Sequence, residues 1–145
     1  MIEIRPRREI TSIQDIAEYI PHPIEQQIAR HFLNKFSNAR ITYEPAEFSA
    51  DIEGKTRSTI PDFQIDYLNT GRSVYVEITA AKRTEGDPKA RQKKVMRQAA
   101  PDIKYIVLYR DCLERIQNKY PKEVNIFCSG RIIERIDSRT YEEYK

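Results

Sequence analysis

Residues 60–83, IPDFQIDYLNTGRSVYVEITAAKR, decide how this chain folds. Two runs alternate apolar with polar: Phe63-Ile65-Tyr67, then Val74-Val76-Ile78, on either side of Asn69-Thr70-Gly71. Alternation of period two around a glycine-containing turn predicts a β-hairpin. The polar face is unusual. Asp62, Gln64 and Asp66 oppose the first apolar set, and Ser73, Tyr75, Glu77 and Thr79 oppose the second. With an even number of loop residues, Asp62 falls opposite or diagonal to Glu77 on one face, because a two-residue slip preserves the face. Two such carboxylates repel each other unless a positive charge sits between them. A divalent cation with hard oxygen ligands is the natural occupant. The same spacing also describes the wet face of a half-covered hairpin, and on spacing alone both readings stand.

Outward from the hairpin, charge is unevenly placed. Lys82, Arg83, Lys89, Arg91, Lys93, Lys94 and Arg97 are set against only Glu85 and Asp87. That cluster fits a polyanionic partner, although a solvated basic helix face has the same composition. The net charge of +3 would not by itself suggest one. The 145 residues suffice for one domain with a core, and 39% hydrophobic with 32% charged residues describes a globular protein rather than a membrane one. No apolar run approaches the ~18 residues a membrane span requires. The opening MIEIRPRREI has no apolar signal core, which predicts an intracellular, cytoplasmic protein. Cys112 and Cys128 form no CxxC or Cys/His spacing, so zinc is not indicated.

Before the hairpin, Thr11 or Ser12 can cap a helix to about Tyr19 with the stripe Ile13-Ile16-Ala17-Ile20. Pro21-His22-Pro23 ends it and opens a second helix from Ile24 to about Phe36. Glu25 lies at the edge of that helix's buried stripe, where it either answers the helix dipole or points inward at a cation. Residues 40–43 read as a strand and 49–59 as a polar loop. After the hairpin come a helix over 88–99, a strand over 104–109, a helix begun by Asp111 and a short strand over 124–128. The 104–109 strand, KYIVLY, is nearly all apolar, which predicts a central position covered on both faces. The tail from Arg131 reads as a charged helix or a frayed end. The order predicts an α/β fold: a mixed central sheet flanked by helices, with one crossover through the basic helix. Residues 1–21 form an N-terminal arm, 22–128 the core and 129–145 a tail.

Pro61-Asp62 followed by Glu77-x-Thr79, with the upstream glutamate of HPIEQQIA, resembles the PD-(D/E)XK nuclease superfamily. Within it, the chain most resembles the small phage Holliday-junction resolvases of the endonuclease I type. The resemblance spans His22 to Tyr109, through ITYEP, TIPDF, VYVEIT, DPKARQKKVMRQ and PDIKYIVLY. It implies a restriction-endonuclease-like fold and a Mg²⁺- or Mn²⁺-dependent endonuclease cutting DNA, possessed by a phage or mobile element. It implies Asp62 and Glu77 as metal-binding acids, Glu25 as the third acid and the Ile78 carbonyl as a further ligand. Arg83, Lys89, Arg91, Lys93, Lys94 and Arg97 would bind DNA phosphates. The family's lysine would fall at Thr79, and threonine supplies no charge. Lys82, the nearest lysine after Glu77, is the first replacement, followed by Lys89, Lys93 and Lys94. A second metal could also activate the water, or the protein binds DNA without cutting it. A restriction or homing endonuclease would share the same frame. Neither His22 nor His31 reads as the general base. Cleavage of both strands needs two sites, which predicts a homodimer joined through the N-terminal stripe.

Overall fold

The 60–83 stretch does form a hairpin, and the larger sheet is built outward from it. In the computed structural model, which describes residues 1–82, 87–128 and 131–132, the chain runs β1 (Ile2–Ile4), β2 (Glu9–Ile10), α1 (Ile13–Tyr19), α2 (Pro23–Lys35), β3 (Ala39–Tyr43), β4 (Ala46–Ile52) and β5 (Lys55–Thr59). It continues with β6 (Phe63–Tyr67), β7 (Arg72–Ile78), α3 (Ala90–Ala99), β8 (Lys104–Leu108), α4 (Arg110–Lys119), β9 (Phe127–Cys128) and β10 (Arg131–Ile132). This is a mixed α/β chain. The main sheet has the order β2-β3-β6-β7-β8, and only β7 and β8 are parallel. Parallel neighbours cannot be joined by a tight turn, so the chain crosses over through α3, as the sequence predicts.

Each face of the main sheet is buried by a different set of residues. On one face, Ile16 and Ile20 from the α1 region and Ile28 and Phe32 of α2 pack with Ile41, Phe63, Ile65 and Val76. On the other, Val95 and Met96 of α3 pack against Ala46 and Phe48 of β4, with Tyr75 and Tyr105 alongside. The helix starts follow local chemistry. Ser12 Oγ accepts from the Asp15 N–H at 3.3 Å, and Pro23 occupies the first turn of α2, where its missing N–H leaves no bond unmade.

Several expectations need correction. Residues 49–59 are not a loop: β4 and β5 pair antiparallel from Phe48↔Thr59 to Ile52↔Lys55. Glu53 and Gly54 connect them with φ of 53° and 79°, the pair of left-handed residues a two-residue type I′ turn requires. β8 lies at the edge of the main sheet among the described residues, with Ile106 37% exposed, rather than in a covered centre. Tyr109, not Asp111, is the N-cap of α4, and Asp111 sits in the first turn. Arg131–Ile132 is a strand paired to β9, and the tail predicted over 133–145 lies outside the described residues. The N-terminal stripe folds onto its own body, with Ile16 and Ile20 fully buried and Ala17 exposed. That docking removes the reason to assign the stripe to a partner.

Candidate functional site

Register assembles the site. Phe63 pairs with Val76 in the β6–β7 ladder, so one residue further Asp62 stands against Glu77. Asp62 Oδ2 accepts a 2.7 Å hydrogen bond from the Ile78 N–H, which fixes the carboxylate at the end of the hairpin. Glu77 and Glu25 are 5% and 6% exposed, unusual values for ionisable groups. Glu25 reaches the hairpin from the first turn of α2. The Tyr43 hydroxyl of β3 lies 3.2 Å from both of its carboxylate oxygens. Lys89, the residue preceding α3, places Nζ 4.0 Å from Glu77 Oε2. Glu25, Glu44, Asp62, Glu77, Ile78 and Lys89 all line one cavity of about 440 Å³.

The electrostatics follow from this crowding. Burial pushes the Glu77 carboxyl well above the ordinary carboxylate range, and the hydrogen bond and charge of Asp62 push it further. Lys89 opposes that shift and Glu25 adds to it. Glu25 is raised in the same way by burial, then by the charge of Asp62 and a hydrogen bond with it. Tyr43 pulls it back in part, while Glu44 adds repulsion. Asp62 is therefore the carboxylate common to both pairs. Without added positive charge, the cluster holds protons that exposed acids would release.

The donor set fits a small hard cation. Mg²⁺ keeps several waters and is bound through one or two carboxylates together with substrate phosphate, not in an all-protein cage. Asp62 and Glu77 are such a pair. Among the described residues, no group of three or more His, Cys, Asp and Glu side chains is arranged as a metal-ligand set. The carboxylates thus offer a pair rather than a cage.

Lys82 does not line the acid cavity and is exposed. Lys89, and not Lys82, is the lysine beside Glu77. Lys93 is committed elsewhere: its Nζ donates to Asp87 Oδ2 at 2.6 Å and lies 5.1 Å from the Tyr109 ring centroid. Asp87 is held well below its usual range by Lys93 and the Tyr109 hydroxyl. Its Oδ1 accepts from the Lys89 N–H at 3.0 Å, which ties the start of α3 beside the cavity. Arg91, Lys94 and Arg97 are exposed on α3, whose buried residues are Val95 and Met96, while Arg83 lies outside the described residues. His22 also lines the cavity, with Nε2 3.9 Å from Glu25 Oε2. His31 is buried and pairs with Glu123 at 2.9 Å, away from the acids.

Tyr43 and Glu44 carry no role in the sequence reading, yet both touch the site. Tyr43 alternates like any buried strand residue, so nothing in the pattern marks its hydroxyl. Glu44 precedes Pro45, a position biased to extended backbone, but adopts φ 44°. No signal in the chain announces that turn. No protein-family model matches the chain, nor does any curated protein or solved structure.

Proposed function

We propose that the chain is a Mg²⁺-dependent DNA endonuclease with a restriction-endonuclease-like core, acting as a homodimer on branched or otherwise structured DNA. The observation that carries this reading is the convergence of Asp62, Glu77 and Glu25 on one cavity with Lys89 at its wall. Asp62 and Glu77 would hold the cation, with the Ile78 carbonyl and Glu25 beside them. When bound, the cation supplies Lewis acidity at the scissile phosphate and a lowered pKa for the attacking water. Ile78 orients Asp62 through its N–H, and Tyr43 orients Glu25. Lys89 offsets phosphate charge in the position that Thr79 leaves neutral. Arg91, Lys94 and Arg97 would grip flanking phosphates, adding affinity but little sequence information.

The test is cleavage of a supercoiled plasmid and of a four-way junction with Mg²⁺ or Mn²⁺. Cutting of the junction, abolished by Asp62→Ala and by Glu77→Ala, is the expected result. Fixed fragments from linear duplex would instead mark a restriction or homing enzyme. A second reading, a DNA-binding protein without catalysis, is favoured by Thr79. It predicts tight binding with no cutting of either substrate.

A further inference from the structure

Arg5 and Arg8 come from the segment between β1 and β2, far in sequence from the acids, yet both side chains reach Glu44, which lines the cavity. Backbone bonds hold them there: the Arg5 N–H donates to the Pro45 carbonyl at 3.1 Å, and the Tyr43 N–H to the Arg8 carbonyl at 2.9 Å. Their guanidinium nitrogens lie 3.7 Å and 3.4 Å from the same atom, Glu44 Oε1. Both distances exceed the ~2.7–2.9 Å of a charge-assisted hydrogen bond. Arg5 Nε is buried with no hydrogen-bond partner among the described residues. The Arg8 guanidinium lies 5.6 Å from the centroid of the Tyr43 ring, whose hydroxyl contacts Glu25.

Glu44 itself sits in the left-handed region, and its N–H donates to the Asp62 carbonyl at 2.8 Å. One turn therefore sets both Asp62 and the carboxylate on which the two arginines converge. Two guanidinium groups on one carboxylate leave a formal positive surplus, held by loose, partly exposed contacts of the kind that contribute little to stability. A phosphodiester offers oxygens suited to the planar forks of both arginines, which one carboxylate contacted at a single oxygen does not. Lys89 lines the cavity beside Glu77, and the arginines meet it through Glu44, another of its lining residues.

We propose that Arg5 and Arg8 form a phosphate-binding subsite beside the acid cavity, occupied by the Glu44 carboxylate in the free protein and yielded to a DNA phosphodiester on binding. The inference rests on the reading of the chain as a protein that acts on DNA. It adds the N-terminal segment to the DNA-binding surface and makes Glu44 a stand-in for the phosphate. A purely structural role, in which the arginines only fasten the segment, makes the opposite forecast for Glu44: removing its charge would lower the melting temperature and leave DNA affinity alone.

The experiment is anisotropy of a labelled four-way junction, titrated in EDTA at several KCl concentrations, with melting curves for every variant. The Arg5→Ala/Arg8→Ala double variant should bind about tenfold or more weakly, and its slope of log affinity against log salt should be shallower by about two. Glu44→Gln should bind several-fold more tightly than the wild type. Unchanged affinity and slope in a folded double variant would overturn the subsite, and so would a Glu44→Gln protein that binds no tighter. Because the glutamine variant keeps the backbone and both arginines, it decides the matter even where the double variant does not fold. A wild-type protein that binds no DNA overturns the nuclease reading and the subsite together. Binding that is the same in all three proteins overturns the subsite alone.

Discussion

Asp62 is shared by two buried glutamates, and that sharing makes the site sensitive to both charge and pH. The carboxyls of Glu25 and Glu77 are raised above the ordinary 4.5, first by burial and then by Asp62. The folded state therefore keeps protons that the unfolded chain gives up. Stability from this source is full below about pH 4.5 and declines as pH rises toward the raised folded values. The metal-free protein should accordingly melt higher at pH 6 than at pH 8.5, and saturating Mg²⁺ should flatten that slope. Asp62→Asn keeps an oxygen for the Ile78 N–H but removes the common charge, so it should raise the melting temperature in EDTA while abolishing cleavage. A lower melting temperature for Asp62→Asn would mean that the acids do not strain the free protein. Lys89 is tested kinetically. Lys89→Ala should slow single-turnover cleavage by about 10² or more, with a much smaller change in DNA affinity. An unchanged rate would leave Thr79 without a substitute at this wall.

At the scale of elements, legibility depended on how strongly one face was buried. The 63–78 hairpin was readable because its two apolar runs both face a core, so alternation alone places Asp62 and Glu77 on one side. The β4–β5 hairpin was not readable. Ser49-Ala50-Asp51 and Thr56-Arg57-Ser58 carry few large apolar side chains, and its buried anchors, Ala46, Phe48 and Thr59, sit at the open end. Its one audible signal was Glu53-Gly54, which the polar surroundings masked. Gly54 has φ +79° and no neighbour within 4 Å of an added Cβ, so Gly54→Ala tests the backbone conformation without a clash. It should cost about 1–2 kcal/mol in urea unfolding, and a neutral result would show that the turn relaxes. The apolar run of β8 misled for a different reason. Tyr105 packs with Val95 and Met96 of α3, and Leu108 with the core of the opposite face, while Ile106 is left partly exposed; apolar content alone does not report a neighbour on each edge. Glu25 was legible as an anomaly on an apolar stripe, whereas choosing Lys89 over Lys82 required the path of the chain into α3.

For the whole molecule, the docked N-terminal helix changes where a second copy could attach. Ile16 and Ile20 are consumed by the chain's own core, so association through that stripe would require unpacking it. The homodimer proposed here needs another surface, and β8 is the longer of the main sheet's two edge strands among the described residues, with Ile106 partly exposed. An edge strand presents unpaired N–H and C=O groups to any strand of matching geometry. Pairing of two β8 edges about a two-fold axis would extend the sheet across both copies and supply two acid cavities to one DNA. Sedimentation at micromolar concentration should then give a dimer, and Ile106→Lys should shift it toward monomer. The cleavage pattern should follow: the wild type would convert supercoiled plasmid to linear product within one binding event, whereas Ile106→Lys would accumulate nicked circles. A wild-type monomer would sink the dimer outright. A dimer that Ile106→Lys leaves intact, still cutting both strands together, would move the interface away from β8.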